Sequence, residues 1–248
     1  MIGYPFYILN EVDSTNNYAM EMVNAGHVTS GTAWFTTNQT AGKGTRGKTW
    51  LAKPGDISAL SVALQPSMLP LSRQFMLSIA VALAAADCFA SYAGDETVIK
   101  WPNDIYWRDR KAGGILIENV LRGNIWQYAI IGIGFNVNQP SFPAELPNAV
   151  SLLQITGQKR ESVDVAKNLC THLNTRIQQI HPSNYEAMLE EYTSRLFRWQ
   201  KPAMYKKDNE IFMGIIREIQ PDGYMRLEKE DGSMLTLGFG EIEFLITR

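Results

Sequence analysis

The chain has 248 residues, which is enough for one large domain or for a medium domain with a small one beside it. Apolar residues make up 45% of it, and the net charge of −2 excludes a general electrostatic attraction to nucleic acid or membranes. Its two cysteines and three histidines are scattered, without C-x-x-C or H-E-x-x-H motifs, so we expect no disulfide framework and no dedicated metal site.

The N-terminal segment has no basic stretch followed by a long apolar run, which argues against a signal peptide. Apolar stretches are interrupted by Gly, Asp or Asn before they reach about 18 residues, so no membrane span is expected. These features predict a soluble, cytoplasmic protein.

Helix-capping residues open the first predicted element. Residues 13–16, with the sequence Asp-Ser-Thr-Asn, predict a helix that ends at Gly26. Strands are predicted at 32–37 and 57–64, on either side of a glycine-rich basic segment at 39–50.

A second helix is predicted from a cap at Ser72 to a stop at Gly94. A short strand at 98–101 is followed by Pro-Asn-Asp. Two β-rich runs, 114–121 and 125–137, are separated by Arg-Gly-Asn and predict a hairpin. The second run is continuously apolar over much of its length, which is typical of a sheet centre covered on both faces.

Two more helices are predicted at 162–180 and at 183–199, the latter opened by a capping-box pattern, Ser-Asn-Tyr-Glu. After residue 201 the chain changes to short β-like runs with turns at Pro-Asp-Gly and Asp-Gly, which favours a small SH3-like barrel. We therefore expect a domain boundary between residues 1–200 and 201–248.

Residues 42–49 satisfy the P-loop pattern G-x-x-x-x-G-K-[ST]. A P-loop requires a helix that starts at its Lys-Thr, but Pro-Gly-Asp follows five residues later and leaves no room for one. The three cations Lys43, Arg46 and Lys48 still favour phosphate binding, since glycines let backbone amides approach an anion closely. The simpler alternative is a flexible, solvated basic loop.

Three further segments accompany this loop: Lys-Trp-Pro-Asn-Asp at 100–104, Arg-Lys-Ala-Gly-Gly-Ile-Leu-Ile-Glu at 110–118, and Gly-Ile-Gly-Phe-Asn-Val-Asn at 132–138. With residues 13–16 and 39–50, their order and spacing resemble the biotin–protein ligase family. The resemblance implies an α+β fold with a mixed central β-sheet flanked by helices and a small C-terminal SH3-like β-barrel. The Gly-x-Gly of the last segment lacks the third glycine of a dinucleotide fingerprint.

The resemblance also implies site residues. Lys111, Lys43 and Arg46 are the expected catalytic groups. The residues expected to bind biotin are Ser14, Thr15, Asn16, Gln39, Gly42, Lys43, Gly44, Thr45, Lys111, Gly113 and Gly114. Those expected to bind ATP are Lys43, Arg46, Lys48, Trp50, Lys100, Asn103, Lys111 and Asn136. The sequence departs from the usual family pattern at Lys43, where arginine is common and could bind in a bidentate way, and at Thr45.

The implied activity has two half-reactions. Biotin is adenylated by ATP, with Mg²⁺ on the phosphates, and biotin then passes to a lysine of a biotin carboxyl carrier protein. The enzyme is expected to be the monofunctional type without an N-terminal DNA-binding domain, with no nucleic-acid or membrane partner, as a monomer or homodimer.

Three alternatives stay open on the sequence alone. A lipoate ligase or octanoyltransferase would share the architecture. A P-loop nucleoside triphosphatase would hydrolyse ATP without biotin, and a regulatory or nucleic-acid-binding module would have no enzymatic activity.

Overall fold

A computed structural model describes residues 1–50 and 53–246 of the chain. Its strands form two separate sheets, and five α-helices pack on the first sheet or connect it to the second. The helices are α1 (Thr15–Asn24), α2 (Gln74–Ala93), α3 (Leu152–Thr156), α4 (Ser162–Gln178) and α5 (Tyr185–Ser194).

The larger sheet has seven strands: β1 (Phe6–Ile8), β2 (Ala33–Thr36), β3 (Ile57–Leu64), β4 (Thr97–Lys100), β5 (Asp104–Trp107), β6 (Arg110–Arg122) and β7 (Ile125–Asn136). They are ordered β1-β2-β3-β7-β6-β5-β4. Only the β1–β2 pair among the described strands is parallel, so the sheet is mixed, as expected. The predicted hairpin is β6–β7.

Strand β7 lies at the centre of this sheet and is covered on both faces, which confirms the expectation from its apolar run. Ile131 and Ile133 belong to the main core with α2 and α4, whereas Tyr128 and Ile130 belong to a smaller cluster under α1. This alternation follows from the two-residue period of a strand. The face that α1 covers only in part carries the candidate site described below.

Helix α2 lies in the main core. The segment Leu71–Ala93 is long and apolar enough to cross a membrane by length and composition, although no such span was expected from the sequence. Its most apolar window is 72% buried inside the protein, which is the ordinary state of a core helix.

Two predicted helix starts are wrong. Ser72 lies inside a 3₁₀ turn, Leu71–Arg73, and α2 begins at Gln74 without a side-chain cap. The expected capping box at 183–186 does not form, because Pro182 starts a 3₁₀ turn that occupies Pro182–Asn184. Helix α5 also ends earlier than expected, at Ser194.

A capping box does form at a helix that the sequence did not predict. The Ser151 hydroxyl accepts a hydrogen bond from the Gln154 amide at the start of α3, and the Gln154 side chain accepts one from the Ser151 N–H. Strand β5 was also missed, since its four residues follow a Pro-Asn turn directly.

The second sheet contains β8 (Ala203–Lys207), β9 (Glu210–Ile219), β10 (Met225–Lys229), β11 (Met234–Leu237) and β12 (Glu243–Phe244). All its pairs are antiparallel, in the order β11-β10-β9-β8-β12, in keeping with the SH3-like fold expected here. Tyr205 and Phe244 share one apolar cluster with the larger sheet's core, so the boundary at 200/201 stays a prediction.

Candidate active site

An inner pocket opens on the large sheet where the N-terminus of α1 meets β6 and β7. The basic segment 42–50, here called the lid loop, covers one side of it. Eleven of the predicted site residues border this pocket: Ser14, Thr15, Asn16, Gln39, Lys43, Gly44, Thr45, Trp50, Asn103, Lys111 and Gly114. The fold therefore brings together segments that are up to 100 positions apart in the sequence.

The first turn of α1 forms the polar end of the inner pocket. Ser14 occupies the N-cap position, yet its hydroxyl makes no capping bond. The Gln39 Oε1 atom replaces it, accepting the Thr15 backbone N–H at 2.8 Å and lying 3.2 Å from the Thr15 hydroxyl. The Ser14 side chain is only 2% exposed and borders the pocket. Its hydroxyl is thus available to a ligand, whereas we expected it to cap the helix as well.

Asn16 is 3% exposed and is held by contacts within the protein. Its Nδ2 donates to Glu118 Oε2 at 2.8 Å and to the Leu116 carbonyl at 3.4 Å. A Cβ atom at Gly132 would lie 2.2 Å from Asn16 Oδ1, so any larger residue at this point of β7 would displace the Asn16 amide. Asn16 shapes the pocket wall with its amide already hydrogen-bonded.

The lid loop is a short hairpin. The Gly44 N–H donates to the Lys48 carbonyl at 2.6 Å, and the Trp50 N–H donates to the Gly42 carbonyl at 2.8 Å. A 3₁₀ turn, Thr45–Gly47, forms its tip. Lys48 has an extended backbone, with φ −70° and ψ 147°, where a P-loop would start a helix. The P-loop interpretation is therefore excluded.

Lys111 lies at the start of β6 on the floor of the pocket. Its Nζ is 2.6 Å from Asp104 Oδ1, and Lys100 Nζ is 4.0 Å from Asp104 Oδ2. Burial lowers the pKa of the Lys100 ammonium, and Asp104 opposes this effect. One carboxylate thus holds two cations, leaving a net positive charge beside the pocket, which suits an anionic ligand.

The Trp50 indole lies against the pocket floor. The ring centroid is 5.6 Å from Lys111 Nζ, and a Cβ atom at Gly114 or Gly134 would come within 3.1 Å of the ring. The indole Nε1 atom is buried and has no hydrogen-bond partner among the described residues. The two glycines therefore provide the space in which the indole packs.

A second, larger space, here called the outer cleft, lies between the lid loop and the C-terminal sheet and has a volume of about 1350 Å³. Of the predicted ATP-binding residues, Arg46, Lys48, Lys100 and Asn103 border it. Asn103 borders both spaces, so they are adjacent. The Arg46 guanidinium donates to the Gly240 carbonyl, which joins the tip of the lid loop to the C-terminal sheet.

Three predicted residues border neither space. Gly42 is packed against Gln39, and a Cβ atom at Gly113 would lie 2.6 Å from the Phe135 ring. Asn136 is buried, and its Nδ2 donates to the Lys111 carbonyl at 3.3 Å and to the Val150 carbonyl at 3.1 Å. In this structure Asn136 supports the strand that carries Lys111, and its expected role in ATP binding stays a prediction.

Sequence reasoning missed Asp104, Glu118 and Ser61. Asp104 stands in a quoted motif, but its pairing with Lys111 depends on the unpredicted β5–β6 hairpin. Ser61 lies on β3, where the two serines at 58 and 61 in an otherwise apolar strand were the available signal. Among residues 1–50 and 53–246, no three His, Cys, Asp or Glu side chains are placed to hold a metal ion.

Comparison with known proteins identifies the family of this chain. Residues 9–136, just over half of the chain, match the family model described as "Biotin/lipoate A/B protein ligase family". The chain belongs to this family. The match includes the first turn of α1, the lid loop and the Asp104–Lys111 pair.

Individual relatives agree with this membership of the biotin/lipoate A/B protein ligase family. The bifunctional ligase/repressor BirA of Bacillus spizizenii is 31% identical over 94% of this chain and 72% of its own length. The biotin–[acetyl-CoA-carboxylase] ligase of Mycobacterium tuberculosis is 27% identical over 96% and 88%. A biotin protein ligase structure from Aquifex aeolicus, in complex with biotin and ATP, superposes with a TM-score of 0.80 over 98% of this chain and 99% of its own, at 24% identity. The last likeness confirms the expected fold.

Proposed function

We propose that this chain is an ATP-dependent biotin–protein ligase. The observation that carries the proposal is the Lys111 ammonium, fixed by Asp104 in the inner pocket, whose other end presents the hydroxyls of Ser14 and Thr15. A cation at one end suits a carboxylate and a phosphate, and hydroxyls at the other suit a buried ureido ring. The name of the M. tuberculosis relative, a biotin–[acetyl-CoA-carboxylase] ligase, supports biotin as the substrate.

In the first half-reaction, a biotin carboxylate oxygen attacks the α-phosphorus of ATP, and the bond to pyrophosphate breaks. The products are biotinyl-adenylate and pyrophosphate. In this proposal Lys111 neutralises both the carboxylate and the α-phosphate, and Lys43, which borders the same pocket, assists it. Arg46, Lys48 and Lys100 border the adjacent outer cleft, where the leaving phosphates would meet positive charge.

Magnesium fits this site in one way. Asp104 is a carboxylate that borders both spaces and already holds two ammonium groups, so a Mg²⁺ ion would be held mainly by phosphate oxygens and water. When bound, the ion would neutralise phosphate charge during adenylation.

In the second half-reaction, a lysine amine of a carrier protein attacks the carbonyl of the mixed anhydride, forms the amide and releases AMP. The M. tuberculosis relative's name supports a biotin carrier domain of a carboxylase as the acceptor. The lid loop would exclude water from the anhydride meanwhile. A cytoplasmic monomer or homodimer without a nucleic-acid or membrane partner completes the proposal.

The test is incubation of the purified chain with biotin, ATP, Mg²⁺ and a biotin carrier domain. We expect biotinylated carrier and one pyrophosphate per transfer. Because the family also contains lipoate ligases, parallel reactions should replace biotin by lipoate or octanoate. Transfer of either acid in place of biotin would overturn the substrate assignment.

A further inference from the structure

Glu118 on β6 connects two parts of the site that are otherwise separate. Its side chain is 31% exposed. Its Oε2 atom accepts the Asn16 amide at 2.8 Å, and its Oε1 atom lies 3.6 Å from Lys43 Nζ. One carboxylate therefore contacts both the buried first turn of α1 and the lid loop.

The contact with Asn16 fixes the orientation of that amide. An ionised carboxylate only accepts hydrogen bonds, so the Nδ2 atom must face Glu118 and Oδ1 must face the other way. There Oδ1 lies 2.6 Å from the Ser61 hydroxyl. The Leu116 carbonyl, at 3.4 Å, also accepts from Nδ2, so Glu118 supplies the shorter of the two hydrogen bonds that favour this orientation.

The orientation of the Asn16 amide affects the hydroxyl groups at the polar end of the inner pocket. The Ser61 hydroxyl is also 2.7 Å from the Thr15 hydroxyl, but it carries a single proton. Since Asn16 Oδ1 can only accept, Ser61 donates to it and leaves Thr15 to donate to Ser61 or to Gln39. Thr15, which borders the pocket, therefore receives no hydrogen bond from Ser61, and this constraint depends on Glu118 through two intermediate side chains.

The contact with Lys43 is weaker, because the Lys43 side chain is 43% exposed and the distance is longer than a hydrogen bond. An ion pair this exposed shifts the equilibrium between the loop in contact with Glu118 and the loop away from it by up to about fivefold. That is enough to favour the position of a short loop but not to lock it.

We propose that Glu118 is a positioning residue that couples the biotin-binding end of the pocket to the lid loop. The inference rests on the proposed function for the identity of the ligand, but not for the loop contact. Loss of the carboxylate should loosen the lid loop, and loss of every acceptor at position 118 should also disorient Asn16.

Two substitutions separate these effects. Glu118→Gln keeps an acceptor for Asn16 but has no charge for Lys43, whereas Glu118→Leu removes both. Glu190→Gln, at an exposed position of α5, is the matched control. Limited trypsin digestion without ligand measures the lid loop, through the initial rates of cleavage after Arg46 and Lys48, and calorimetry measures biotin binding.

We expect cleavage two- to fivefold faster than wild type in both Glu118 variants and at the wild-type rate in the control. Biotin Kd should stay within threefold in Glu118→Gln and rise at least tenfold in Glu118→Leu. Lys43→Met should be cleaved faster too, and adding Glu118→Gln to it should bring no further increase.

Wild-type cleavage rates in both Glu118 variants would overturn the coupling, as would fully additive effects with Lys43→Met. Failure of wild-type protein to bind biotin would instead overturn the proposed function, and the digestion result would still decide the role of Glu118. Should Glu118→Leu not fold, Glu118→Gln alone retains the digestion test.

Discussion

Replacing Lys111 by methionine removes the ammonium while keeping most of the side chain's length and apolar stem. In the folded protein this leaves Asp104 without its partner at 2.6 Å, although Lys100 at 4.0 Å continues to balance the carboxylate. The substitution therefore removes charge from the inner pocket without leaving an unpaired buried anion.

The effects on stability and on catalysis should differ in size. The Lys111 and Asp104 side chains are 35% and 20% exposed, so screening reduces their pair to about 1 kcal/mol of stability. That corresponds to a fall in Tm of about 2–4 °C for a chain of this length. Loss of a preorganised charge at the reacting phosphate costs about 100- to 1000-fold in rate, or about 3–4 kcal/mol of barrier.

The assay is biotin-dependent exchange of labelled pyrophosphate into ATP, which isolates the first half-reaction. Thermal unfolding is recorded on the same samples. Lys167→Met, at an exposed position of α4, is the control and should match wild type in both measurements. Asp104→Asn should also slow exchange, because Lys111 and Lys100 would then repel each other across an uncharged amide.

Exchange by Lys111→Met within threefold of wild type would refute the assignment of Lys111 to the reacting phosphate. A loss of exchange that follows the unfolded fraction at the assay temperature would show a structural role instead. Only a large loss in a folded variant supports the reasoning.

Three further predictions concern other parts of the chain. Because the Trp50 indole lies 5.6 Å from Lys111 Nζ on the pocket floor, biotin should change the intrinsic fluorescence, and Trp50→Phe should remove most of that change. Burial raises the pKa of the Cys88 and Cys170 thiols to about 12, so both should resist a thiol reagent at pH 8 until the protein is unfolded. The contribution of the two buried thiols to stability should be lost as the pH rises from 9 towards 12. Burial raises the pKa of Asp87, but hydrogen bonds from Arg176 and a second arginine outweigh it, so the pKa is lowered overall. This carboxylate therefore stabilises the fold at pH values above its ordinary pKa of 3.8, and that contribution is lost on acidification. Arg176→Met should cost about 2–4 kcal/mol at neutral pH and raise the midpoint of acid unfolding, measured by circular dichroism.

The sequence was sufficient for the parts of the fold that local pattern determines. The apolar run of β7 predicted a central strand, since a strand buried on both faces needs apolar residues at successive positions. Helix starts were less predictable, because serine at 72 and 183 has capping propensity but a 3₁₀ turn takes the position in each case. Propensity identifies which residues can cap a helix, and the neighbouring backbone decides which of them does.

The candidate site was predictable as a set of residues but not as a set of contacts. The motifs placed Thr15, Gln39 and Lys111 in one site, and all three border the inner pocket. The motifs did not show that Gln39 caps α1 or that Asn136 supports the Lys111 backbone. Each of these contacts joins two residues that are 24 or 25 positions apart in the sequence. Such pairs follow from sheet register, which a single sequence does not specify at the level of individual hydrogen bonds.

The structure of the lid loop implies a way of binding phosphate that differs from that of a P-loop. In a P-loop, backbone amides at a helix N-terminus bind the anion, so the binding groups are rigid. Here a hairpin carries the cations on side chains. Lys43 contacts Glu118 on the large sheet, and Arg46 contacts Gly240 in the turn between β11 and β12. Because one contact is with the large sheet and the other with a turn of the C-terminal segment, and because the loop borders both spaces, movement of the loop would alter the inner pocket and the outer cleft together. We therefore expect the binding of biotin and of the triphosphate to be coupled, since one short hairpin carries cations that border both spaces.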